Sequence, residues 1–144
     1  MKKNKLGFTL LELLVVIFII GVLSTMAIVA LQSARKSARD AKRVSDIRQM
    51  QTALELYFHD WQEYPSSMTA GGPLSTGTPE VTYMYIIPSG PTPADGSCSA
   101  AYSYSQALTG ASYTIQFCLG GNIGALPAGN NCAIPGGISG GTCD

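Results

Sequence analysis

The chain has 144 residues, 46% of them hydrophobic and 12% charged, with nine Lys and Arg against nine Asp and Glu. That length and apolar content accommodate one membrane-type segment and one small globular head, and exclude two domains. Three of the nine cations lie in the first five residues, so the remainder is mildly acidic and offers no basic surplus for DNA or other nucleic acid.

Residues 1–7 form a short leader carrying Lys2, Lys3 and Lys5. An apolar run, FTLLELLVVIFIIGVLSTMAIVAL, follows over residues 8–31, and its one ionisable side chain is Glu12. As a helix rising about 1.5 Å per residue, this run crosses the roughly 30 Å of a bilayer's hydrocarbon. A secretory signal peptide has a shorter apolar region, of about 7 to 15 residues, with its small-residue cleavage site after it. Here the small residue, Gly7, comes first, so a cut there removes the lysines and leaves the apolar segment attached as an anchor. Glu12 needs a partner or a role, because an acid costs about 2.5 to 3.5 kcal/mol at the bilayer centre and less near an interface. The amine freed on Phe8 by such a cut is one partner, from the same chain or a neighbouring copy. Solvation of the carboxylate among lipid headgroups is the competing reading.

The stretch Gly7-Phe8-Thr9-Leu10-Leu11-Glu12-Leu13, behind a Lys-bearing leader, resembles the class III signal of type IV pilins and the related pseudopilins. The resemblance implies that a membrane protease, the prepilin peptidase, cuts after Gly7 and methylates the new N-terminus at Phe8. It also implies that Glu12 pairs with the Phe8 amine of an adjacent subunit during assembly. The partners it implies are further copies of the chain in a helical filament, an assembly platform, an ATPase motor, and membrane lipid before assembly. The precursor is then a single-pass protein of the cytoplasmic membrane that ends in a pilus on the cell surface. Six cations follow the apolar segment and three precede it, so charge counting favours the opposite orientation. The placement of the leader in the cytoplasm therefore follows from the resemblance.

Past the anchor the helix is expected to continue. Leu31, Ala34, Ala38, Ala41, Val44, Ile47, Met50, Leu54, Tyr57 or Phe58, and Trp61 recur at steps of three or four, on one helical face. No Pro or Gly lies between Gly21 and Pro65, and Tyr64 before that proline marks the helix stop. The small alanines and irregular steps fit a coiled-coil heptad poorly. Arg35, Lys36, Arg39, Lys42, Arg43 and Arg48 cluster here, interrupted only by Asp40 and Asp46. Such a cluster suits lipid phosphates before assembly or acids of neighbouring subunits after it. A solvated face with local pairs such as Asp40 to Arg43 is the plainer alternative.

Beyond Pro65, Gly, Pro, Ser and Thr punctuate short apolar pieces, the pattern of a small β-rich head. Strands are expected at Val81 to Ile87, Ala101 to Ser105 and Tyr113 to Leu119, with loops at Ser66 to Thr78 and Pro88 to Gly96. The stretch from Gly120 to Asp144 is too glycine-rich to assign. The aromatic hairpin and Glu63-Tyr64-Pro65 also resemble the compact heads of short pilins and pseudopilins. All four cysteines, Cys98, Cys118, Cys132 and Cys143, fall in the head, which reads as two disulfides in an oxidising compartment. Three pairings are possible. A hairpin turn at Leu108-Thr109 would set Cys98 opposite Cys118 and so favours that pair, leaving Cys132 with Cys143. No CxxC pair is present for a zinc site.

Nothing points to an enzyme, a cofactor or a metal. His59 is the one histidine and sits near the expected helix end, and the Gly-Gly pairs lack the lysine of a phosphate loop. The tyrosines of the head, Tyr83, Tyr85, Tyr102, Tyr104 and Tyr113, are expected in sheet faces and core more than in an adhesive surface. The reading is an α+β pilin fold in four parts: leader 1–7, filament-core helix 8–31, amphipathic continuation 32–64, and disulfide-bonded head 65–144. The function expected is a structural subunit of a type IV pilus. The alternatives are a pseudopilin of a type II secretion or DNA-uptake machine, and a lone membrane anchor with a binding head. A calcium-binding acidic loop would mark the major secretion pseudopilins near the C-terminus, where only Asp144 stands.

Overall fold

The computed structural model describes residues 8–76, 80–96 and 98–143. The expectations on Gly7 and Asp144 lie outside them. The chain divides into two units, Met1–Arg35 and Lys36–Asp144, and one helix, α1 (Leu10–Trp61), contributes to both.

With no proline and one glycine from Phe8 to Tyr64, nothing interrupts the hydrogen-bond ladder over 52 residues. The helix stops three residues before Tyr64. Gln62 takes a left-handed backbone (φ 57°) while its N–H still donates to the Phe58 carbonyl at 2.8 Å, a C-terminal cap that turns the chain away. Tyr64 is buried, and its N–H donates to the Gly110 carbonyl at 2.8 Å.

Among its described residues the head holds two antiparallel sheets. A two-stranded one pairs β1 (Leu74–Thr76) with β2 (Val81–Met84), so a strand lies inside the expected loop Ser66 to Thr78, and β2 ends at Met84 instead of Ile87. The other is a four-stranded meander of β3 (Ser103–Gln106), β4 (Tyr113–Leu119), β5 (Gly129–Ile134) and β6 (Gly137–Gly140). The last two strands come from the glycine-rich stretch left unassigned above. Hydrogen bonding to a neighbour lets a segment with few large side chains join a sheet. Pro135 and Gly136 make the tight turn between them, and Gly137, the first residue of β6, takes φ 144°.

In β4 the side chains alternate as the sequence does: Tyr113, Ile115, Phe117 and Leu119 face inward. They meet Val44, Ile47, Met50, Ala53 and Leu54 of α1, together with Tyr64, Leu74, Ile87 and Ala133. Fully burying a side chain of the size of Ile47 or Leu54 contributes about 2 kcal/mol or more. The expected apolar face is therefore correct from Val44 to Leu54. Ala34, Ala38 and Ala41 are exposed instead, and Asp40, Arg43 and Asp46 occupy the start of the buried stripe; Trp61, at the far end of the helix, is exposed as well.

Candidate functional site

At the start of α1, Thr9 is the N-cap and Glu12 the third helical residue. The Glu12 carboxylate accepts from the Thr9 N–H and hydroxyl, both at 2.9 Å, and the Thr9 hydroxyl accepts from the Glu12 N–H at 3.2 Å. This reciprocal capping box satisfies donors that a helix N-terminus leaves open. The one acid of the apolar run thus has a local role in the single chain. Phe8 is 82% exposed, and the apolar helix after it is long and apolar enough to cross a membrane, with none of its most apolar window buried.

In the head, three bases meet three buried acids in a lock between α1 and the loops; of the bases Arg43 is buried, Arg39 half-buried and Lys42 exposed. Arg43, which has no exposed surface, donates from Nη1 to Asp40 at 2.6 Å and to Asp95 at 3.0 Å. Asp95 also receives Arg39 through two guanidinium nitrogens, Nε at 3.0 Å and Nη2. Asp40 accepts in addition from the backbone N–H groups of Gly120 and Gly121, at 2.9 and 2.8 Å. A Cβ on Gly120 would lie 2.6 Å from that of Asp95, so the chain needs glycine there to come this close. Asp46 accepts from Lys42 and, at 3.0 Å, from the Tyr102 hydroxyl. The Arg39 hydrogen bond, helped by Arg43 and opposed by burial, holds the Asp95 carboxyl at about 2, while burial and the Asp46 charge push the Tyr102 hydroxyl up.

Two cations of the basic cluster expected to meet lipid or solvent, Arg39 and Arg43, thus turn toward the head, while Lys42 pairs with buried Asp46 from an exposed position. The local pair Asp40 to Arg43 exists, but buried and not on a solvated face. Asp95, the acid that completes the lock, carries no local signal beyond being one of the few charges after Glu63.

The structure joins Cys98 to Cys118, with Cα atoms 5.3 Å apart, and Cys132 to Cys143, at 5.2 Å. The route to the first bond differs from the expectation. Ser103 pairs with Gln116, so a continued ladder sets Ala101 opposite Cys118, and Cys98 approaches from the preceding loop. The turn itself lies at Leu108-Thr109 as expected, closed by the Gly110 N–H donating to the Ala107 carbonyl at 2.9 Å. His59 Nδ1 lies 2.9 Å from Asp60, exposed, and Tyr83 donates to the same carboxylate at 2.8 Å. Tyr113 is buried, Tyr83, Tyr102 and Tyr104 are half-buried, and Tyr85 is exposed. No cluster of three or more metal-ligating side chains occurs among the described residues.

A long capped helix with an uncovered apolar half, continuing into a small disulfide-bonded antiparallel head, defines the pilin-like class of α+β proteins. Residues 2–28 match the family model described as the prokaryotic N-terminal methylation motif. A relative from Klebsiella pneumoniae, named type II secretion system core protein G, is 34% identical over 98 residues, which is 62% of this chain and 70% of the relative. Proteins of the same name from Aeromonas hydrophila (39% over 66 residues, 46% of each chain) and Escherichia coli strain K12 (44% over 61 residues, 42% of each) are also similar. The chain spans about half the length of the first of these curated relatives. No solved structure matches. The chain belongs to the pilin and pseudopilin family, on the side of the type II secretion core protein G relatives.

Proposed function

We propose that the chain is a structural subunit of a pseudopilus, the short fibre of a type II secretion machine. The observation that carries this reading is the exposed apolar half of α1, in a chain whose relatives are named type II secretion system core protein G. The precursor sits in the membrane by that helix and is cut after Gly7 by the prepilin peptidase. Phe8 becomes the methylated terminus, and its amine meets Glu12 of the neighbouring copy. Apolar side chains such as Leu10, Ile17, Phe18 and Leu23, at least 60% exposed in the single chain except where neighbours on the helix shield them, are then covered by packing against other copies. The peptidase, the platform and the motor are separate proteins.

Relatives favour this reading over the type IV pilus expected first. Intact mass of the chain from cell-surface shearings and from membranes, reduced and unreduced, tests it. A chain starting at methylated Phe8, gaining four hydrogens on reduction and staying with the membranes is the expected result. The same mass abundant in the sheared fraction would assign the chain to a type IV pilus. Residues 1–7 still attached would leave a simple anchor.

A further inference from the structure

Charge accounting in the Lys36–Asp144 unit leaves a pattern that the lock does not absorb. Asp40, Asp46 and Asp95 are each met by Arg39, Lys42 or Arg43. Further along α1, Arg48 has no side-chain hydrogen bond or ion pair among the described residues, and Glu55 has only the Tyr64 hydroxyl, at 3.1 Å. Both are exposed. They stand seven residues apart, close to two helical turns, so they share a face yet are separated by about 10 Å along the axis. That is too far for a pair within one chain. Together with Gln51 and Thr52 they line an open depression closed on one side by the turn at Pro135. It continues on the other side of Arg48 past Val44 and Ile123.

Resting on the fibre-subunit reading above, we infer that Arg48 of one copy pairs with Glu55 of a second copy displaced along the helix axis. Copies anchored in one membrane by the same helix are parallel. A copy raised by about 10 Å, seven residues of helix, brings its Arg48 level with Glu55 of the copy below. The contact is heterologous: each subunit offers Arg48 in one direction and Glu55 in the other, so it propagates along a fibre without closing. The two charges that cannot meet within a chain are thereby complementary between chains at one particular stagger.

Charge reversal in the full chain, produced with its own assembly machinery, tests the pair. Arg48→Glu and Glu55→Arg are each expected to lower the fibre recovered at least tenfold, and the double reversal to restore it to within about threefold of wild type. Glu55→Gln keeps an acceptor for Tyr64 and removes only the charge, so it too should lower recovery several-fold. Mature length and both disulfides are checked in every variant, which separates lost contact from lost folding. Single variants that assemble like wild type, or a double variant no better than the singles, overturn the pair. A wild-type chain that forms no fibre overturns the fibre reading, and this contact with it.

Discussion

Arg43 is a cation with no exposed surface, held by Asp40 one turn earlier and by Asp95 from a loop 52 residues later. Removing one partner of such a group leaves a charge uncompensated in the interior. Asp95→Asn should therefore destabilise the head by about 3 kcal/mol, measured by urea unfolding of the detergent-solubilised full chain. The same carboxyl sets a pH response. It is depressed from 3.8 to about 2, so its contribution is complete above its ordinary value and fades as pH falls through about 4 towards 2. The urea midpoint of the wild-type chain should drop over that window, and Asp95→Asn should flatten the drop. Of this lock, only the Asp40 and Arg43 spacing is legible in the sequence. Asp95 joins through a loop whose course depends on the folded head.

Among the elements, α1 and β4 were readable because their apolar residues follow the period of the structure they form, near 3.6 in one and 2 in the other. β5 and β6 were not, since GNNCAI and GISG have too few large side chains to show a period. Their strand state comes from pairing, β5 with β4 and β6 with β5, and the Cys132–Cys143 bond ties the tail after β6 back to β5. Replacing both of these cysteines by serine should cost about 3 kcal/mol, as expected for releasing a loop of this length in the unfolded chain, and should show as a lower urea midpoint. Gly90 marks a second place where the backbone decides. A Cβ there would lie 2.0 Å from the Ala100 carbonyl oxygen, so Gly90→Ala should destabilise the head by about 2 kcal/mol through overpacking, by the same measurement.

For the whole molecule, the capping box gives Glu12 two separable properties, a helix cap and a charge. Glu12→Gln retains a side-chain oxygen that can accept from the Thr9 N–H and removes the charge. The assembly role proposed for Glu12 predicts that this variant is cut and membrane-inserted normally yet yields at least tenfold less fibre. Thr9→Ala removes the cap and keeps the charge, and should still assemble. Immunoblotting of membrane and fibre fractions distinguishes the two. Equal fibre from Glu12→Gln and wild type would reduce Glu12 to a cap.

The sequence by itself determined the long helix, its apolar first half, the family signature around Gly7 and Glu12, and the presence of a β-rich head. These are properties of consecutive residues, visible wherever composition or period is strong over a short stretch. Tertiary structure alone decided which cations of the basic cluster turn inward, how Cys98 reaches Cys118, that the glycine-rich tail becomes two strands, and that Arg48 and Glu55 have no ionic partner among the described residues. Each depends on which distant segment arrives beside a residue, and burial and hydrogen-bond competition settle that only once the head has folded.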